Sequence, residues 1–140
     1  MDGQAVFKFA VRKVPEIIEE MLKKADVSRE DVDYFVLHQA NRRIIEAAAK
    51  RVGVEIEKFP MNLGEYANTS AASVPILLNE MNRDGKLKRG QKIILAGFGA
   101  GLTWAGCLWN GKFKKGNKIM LEKVKEIVAE VIKRRGKHIK

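Results

Sequence analysis

Residues 34–41 read Tyr34-Phe35-Val36-Leu37-His38-Gln39-Ala40-Asn41, an apolar quartet running into a largely polar one. A short apolar run of this kind is the pattern of a buried strand. The period then changes. Ile44, Ile45, Ala48, Ala49 and Val52 share one helical face, and Gly53 is placed to stop the helix. A strand that hands directly to a helix predicts an α/β architecture. Ligands and reactive groups in such folds gather at the C-terminal ends of strands, which is where His38 stands.

Upstream, residues 6–24 predict an amphipathic helix. Val14, Ile17, Ile18, Met21 and Leu22 line one face, and Glu16, Glu19, Glu20, Lys23 and Lys24 the other. Pro15 requires that this helix start nearby or kink there. Ser28, with Asp31 three residues on, has the spacing of a helix N-cap. Downstream, residues 54–68 hold Pro60, Gly64 and several polar residues and predict mostly loop. Asn68-Thr69-Ser70 opens a further helix to about Asn82, and its small early residues, Ala71 to Pro75, predict tight burial. Asp84-Gly85 and Arg89-Gly90 read as turns. Residues 92–96 form a strand, Gly97 to Gly101 a tight turn and residues 102–109 a final strand. The order helix, strand, helix, helix, strand, turn, strand is α/β. Residues 110–117 read as a linker, and 118–135 as a fresh amphipathic helix.

Composition narrows the function. The chain has 140 residues, 46% of them hydrophobic and 31% charged, which suits one soluble domain with a real core. No apolar run approaches the roughly 18–20 residues of a membrane span, and the N-terminus lacks the pattern of a signal peptide. The single cysteine, Cys107, excludes an internal disulfide and a Cys-based metal site, so a cytoplasmic location is expected. The formal net charge is +10, but the last thirty-one residues hold eleven Lys/Arg against three Glu. The body is nearly balanced, so no nucleic-acid partner is expected of it.

A lone histidine at a strand end is more often packed or solvated than catalytic, but the polar cluster His38-Gln39-Asn41 raises its standing. Asn68 reads most simply as a helix N-cap. Gly97-Phe98-Gly99-Ala100-Gly101 has the wrong spacing for a dinucleotide fingerprint and is followed by a strand. Cys107 lies between Gly106 and Leu108 in an apolar strand and reads as structural. Arg42-Arg43 and Lys50-Arg51 share one helix; they are a solvated face or a small anion-binding patch.

Three ordered motifs then carry a resemblance: His38-Gln39-Ala40-Asn41, Gly64 to Pro75 (GEYANTSAASVP), and Gly97 to Trp104 (GFGAGLTW), with thirty residues from His38 to Asn68. Residues 1–109 resemble the C-terminal half of beta-ketoacyl-acyl-carrier-protein synthase III, a thiolase-type enzyme. The resemblance implies a thiolase-like half with a mixed sheet and helices; residues 110–140 form a basic linker and an extra C-terminal helix beyond it. It implies the decarboxylative condensation that initiates fatty acid synthesis, with acyl-CoA and malonyl carrier protein as substrates and neither a cofactor nor a metal. His38 and Asn68 would be the catalytic donors. The elongating relatives carry a second histidine where Asn68 stands, and His138 in the tail cannot fill that place.

By the same resemblance, the backbone of Ala100 would donate to the acyl thioester oxygen. Phe98 would gate the acyl pocket, and Asn41 would touch the pantetheine arm. Gln39, Arg43, Lys50 and Arg51 would meet the acidic carrier protein. The enzyme would work as a homodimer. The family's nucleophilic cysteine lies on the other half, so the 140-residue chain alone is expected to be an inactive fragment. Two other readings remain open: a non-catalytic module that binds a carrier protein or a sister half, and a tail-driven binder of acidic partners. Met120 to Ile127 faintly resembles the first helix of a carrier protein, without an Asp-Ser-Leu attachment site.

Overall fold

A computed structural model of the chain describes residues 3–99 and 102–110. The expected Ala100 donor, His138 and the extra C-terminal helix lie outside the described residues. Helix α1 spans Gly3–Ala25, strand β1 Tyr34–Leu37, and helix α2 Arg42–Val52. A 3-10 turn at Ile56–Lys58, the one-turn helix α3 at Leu63–Tyr66 and a 3-10 turn at Ser70–Ala72 lead to helix α4, Ser73–Arg83. Strands β2, Lys92–Gly99, and β3, Thr103–Asn110, close the described chain.

The sheet order is β1-β2-β3. β1 and β2 run parallel, Tyr34 beside Ile93 and Leu37 beside Ala96. β2 and β3 run antiparallel, Lys92 beside Asn110 and Gly99 beside Thr103. Period-two alternation sorts the side chains into two cores. Phe35, Leu37, Ile94 and Ala96 pack with the apolar stripes of α1 and α2. Val36, Ile93 and Leu95 pack with Leu77, Leu78 and Met81 of α4. The sheet is thus a middle layer between α1–α2 and α4.

Three local expectations change. α1 runs unbroken through Pro15, which is buried in its interior; the stripe of Ala10, Val14, Ile17, Ile18 and Leu22 holds it on the sheet despite the lost backbone donor. Its close approach depends on Gly106, where a Cβ would drive into Ile17 Cγ2 and crowd Met21. Ser28 caps no helix; residues 28–31 form only a turn, closed by Asp31 N–H to Ser28 C=O at 3.2 Å. β2 continues through Gly97, Phe98 and Gly99, with Gly99 paired to Thr103, so the expected five-residue glycine turn does not begin at Gly97. Pairing with β3 overrides the turn propensity of those glycines.

Candidate active site

His38 follows the last residue of β1, and its backbone N–H continues the ladder to Ala96 C=O at 2.8 Å. Parallel pairing puts Gly97 alongside, where a Cβ would sit 3.7 Å from His38 Cβ. The ring of Phe98 meets the imidazole edge-on, with centroids 5.3 Å apart. On the other side His38 Nδ1 lies 2.7 Å from Ser73 Oγ, at the first position of α4. Burial pushes the imidazole pKa below its ordinary range, because a partly dehydrated cation is disfavoured. His38 is therefore held as a neutral ring at neutral pH.

Gln39 is fully buried. Its amide nitrogen donates to Leu37 C=O at 2.8 Å and to Pro60 C=O at 3.5 Å, and its Oε1 accepts from Asn62 N–H at 3.3 Å. Its backbone N–H donates to Ser73 Oγ at 3.2 Å. A side chain so enclosed cannot meet a macromolecular partner. The expected carrier-protein contact at Gln39 is corrected accordingly: Gln39 binds the strand end to the loop at residues 60–62.

That loop carries Asn68. Asn62 Nδ2 donates to Glu80 Oε2 of α4, which anchors the entry to α3. The 3-10 turn at Ser70–Ala72 runs straight into α4. Residues 67–69 are strung between these two anchors. Ala67 has φ 53° and ψ −152°, and Ser70 has φ 53°. Left-handed φ at a residue with a Cβ costs about 1–3 kcal/mol. Among the described residues the Thr69 hydroxyl is a buried polar atom with no hydrogen-bond partner. The segment around Asn68 is thus strained on both sides.

Asn68 itself is exposed, and its Oδ1 accepts from Ser70 N–H at 3.0 Å. The expected capping role is real, but it is an Asx turn before a 3-10 turn rather than the cap of a long helix. It also fixes the flip of the amide. Only the oxygen can face a backbone N–H, so the NH2 group points away as a free donor. Asn41 plays the parallel role at α2, its Oδ1 accepting from Arg43 N–H at 2.9 Å; its amide is exposed and free to donate.

Arg43, Lys50 and Arg51 are exposed on α2. Arg43 and Lys50 are seven residues apart and share a face at about 100° per residue. The Arg43 guanidinium lies over the Phe7 ring at 5.1 Å, which stiffens it. Cys107 packs among the cluster beneath α4, and burial pushes its thiol up, away from the reactive thiolate. Among the described residues no three His, Cys, Asp or Glu side chains gather as a metal set.

The structure therefore joins His38, Phe98 and the Asn68 segment through Ser73, Gln39 and Glu80. Of these three linking residues, Gln39 was expected in a different role, and Ser73 and Glu80 did not stand out from the sequence as functional. The one available signal was the expected burial of Ala71 to Pro75, of which the structure buries only Ser73 fully and leaves Ala71 and Ala72 exposed. The family model for the 3-oxoacyl-[acyl-carrier-protein (ACP)] synthase III C terminal matches residues 22–111. The chain belongs to this family. It is 55% identical over 108 residues to the beta-ketoacyl-[acyl-carrier-protein] synthase III of Synechocystis sp., covering 77% of this chain and 33% of that relative. The crystal structure of the synthase III of Thermus thermophilus superimposes with a TM-score of 0.77 at 44% identity, covering 79% of this chain and 35% of the other. That of Aquifex aeolicus gives 0.77 at 45%, covering 79% and 36%. The fold is thiolase-like. The chain spans about a third of the length of the curated relatives it matches.

Proposed function

We propose that this domain supplies the decarboxylation half-site of a beta-ketoacyl-acyl-carrier-protein synthase III, the condensing enzyme that initiates fatty acid synthesis. The nucleophilic cysteine and the acyl group it carries come from an N-terminal half, so this chain does not catalyse condensation alone. Malonyl carrier protein brings its thioester carbonyl to His38 and Asn68. As the bond to the departing carbon dioxide breaks, its electron pair passes into an enolate whose oxygen takes the negative charge. A neutral imidazole N–H and the Asn68 amide donate to that oxygen, each worth about 3–4 kcal/mol of barrier in a site closed to water. The enolate carbon then attacks the acyl thioester, and the cysteine thiolate leaves. Phe98, whose ring lies against the imidazole, serves in this reading as the acyl-pocket gate. Asn41 offers its amide to the pantetheine arm. Arg43, Lys50 and Arg51 offer positive charge to an acidic carrier protein. No cofactor is needed for these steps. We place the assembled enzyme in the cytoplasm as a homodimer.

The observation that carries this reading is the bond between His38 and Ser73, which couples the strand end to the segment bearing Asn68. The test combines the 140-residue chain with the nucleophile-bearing half of a related synthase and follows malonyl-carrier-protein decarboxylation. Asn68→Ala is expected to slow it by about 10²–10³-fold. A rate equal to the unsubstituted protein's would remove Asn68 from catalysis, and no decarboxylation by the unsubstituted combination would leave a non-catalytic binding module.

A further inference from the structure

His38 can work as a donor only from the nitrogen that carries its proton, and a neutral imidazole has one such nitrogen. Which one is protonated depends on what the other nitrogen meets. Here Nδ1 meets Ser73 Oγ at 2.7 Å. The Ser73 side chain is buried at 2% exposure, and the same oxygen already accepts from Gln39 N–H at 3.2 Å. A hydroxyl has one proton to give. Among the described residues, Nδ1 is the acceptor within reach of that proton. Were Nδ1 protonated instead, Ser73 Oγ would accept twice and its own buried proton would have no partner, an arrangement folded proteins avoid.

We propose that Ser73 is a positioning residue that donates its hydroxyl proton to His38 Nδ1 and so keeps the imidazole proton on Nε2. The inference rests on the proposed role of His38 as an enolate donor and adds the group that makes it one. Gln39 sets the direction of this relay. Its backbone N–H occupies one lone pair of Ser73 Oγ and turns the hydroxyl proton toward the ring. The start of α4 reinforces the effect, because the positive end of the helix at Ser73 disfavours an imidazolium beside it. Burial lowers the ring's proton affinity in the same sense. The chain of contacts, Gln39 N–H to Ser73 Oγ to His38 Nδ1, thus holds a ring that is both neutral and protonated at the far nitrogen.

The test reads the tautomer directly, without substrate. Uniformly 15N-labelled protein is examined at pH 8 by long-range proton–nitrogen correlation, with His138→Gln used to assign the two histidines. His38 is expected to show a protonated Nε2 and an unprotonated Nδ1, the latter shifted from the position of an unbonded imine nitrogen by the hydrogen bond it accepts. Ser73→Ala is expected to move the tautomer ratio by about five- to tenfold, the worth of one neutral hydrogen bond, and Ser73→Thr to restore it. A His38 protonated at Nδ1, or an unchanged ratio in folded Ser73→Ala, overturns the proposal. Should Ser73→Ala not fold, the wild-type spectrum decides: an Nδ1 signal at the unbonded position overturns it. The spectrum is independent of turnover. No decarboxylation by the unsubstituted chain combined with a nucleophile-bearing half, beside an intact Nε2–H signature, would defeat the enzymatic reading and leave the tautomer assignment standing.

Discussion

The two proposed donors of the candidate site are held by opposite means. His38 stands at the end of a parallel strand pair, with its backbone in the ladder and its ring between Phe98 and Ser73. Its neighbour Gln39 has its amide and its backbone N–H hydrogen-bonded in the interior. Asn68 stands on an exposed segment between Ala67 and Ser70, both with φ of 53°, beside a Thr69 hydroxyl with no partner. One donor is positioned by satisfied bonds and the other by backbone strain. The difference teaches that the His38 end contributes to stability while the Asn68 end consumes it. On the proposed reading both donors must be placed, and only the segment bearing Asn68 is placed by left-handed backbone at residues with a Cβ.

Substitutions can break this contrast in order of size. The largest effect is expected on rate: removing either donor from the combined enzyme should cost about 3–4 kcal/mol of barrier, whichever way the residue is held. Equal stabilities after the two substitutions would contradict the contrast. Next is Ser73→Ala, which leaves the buried Gln39 N–H without a partner. It should lower unfolding free energy by about 1–3 kcal/mol in urea titration. Ala67→Gly should act in the opposite direction. Glycine accepts the left-handed φ, so relief of strain, reduced by the entropy glycine loses on folding, should raise stability by about 1 kcal/mol. Asn68→Ala removes a single exposed bond and should change stability by about 0.5 kcal/mol or less, despite its large effect on rate.

The smallest effect is on pH dependence. Burial lowers the pKa of His38 from its ordinary 6.5. Between the lowered value and 6.5 the unfolded chain binds the proton and the folded chain does not. Stability is therefore complete above about pH 6.5 and declines as pH falls through that window. Thermal midpoints measured from pH 8 to pH 5 should fall more for the natural chain than for His38→Asn. Parallel slopes would show that this imidazole is not dehydrated in the folded state.

Much of the fold was legible because it rests on periodicity. The apolar run at residues 34–37, the helical stripe ending at Gly53 and the turn signals at Asp84-Gly85 and Arg89-Gly90 each report local burial or local dihedral freedom. The motifs around His38, Asn68 and Phe98 were legible as residue types at a spacing. Pro15 misled because its cost to α1 is offset by packing that no local window contains. Gly97 and Gly99 misled because strand pairing decides their conformation.

The sequence by itself determined the α/β order and the identity of the three motifs, since these depend on which side chains avoid water and on which residue types stand at which spacing. Only the tertiary structure decided that Gln39 faces inward, that Asn68 sits between two strained residues, and that Ser73 meets His38. Those three facts depend on which polar groups remain to be satisfied once residues more than twenty positions apart have packed, and a hydrogen-bond partner at that distance leaves no period in the chain.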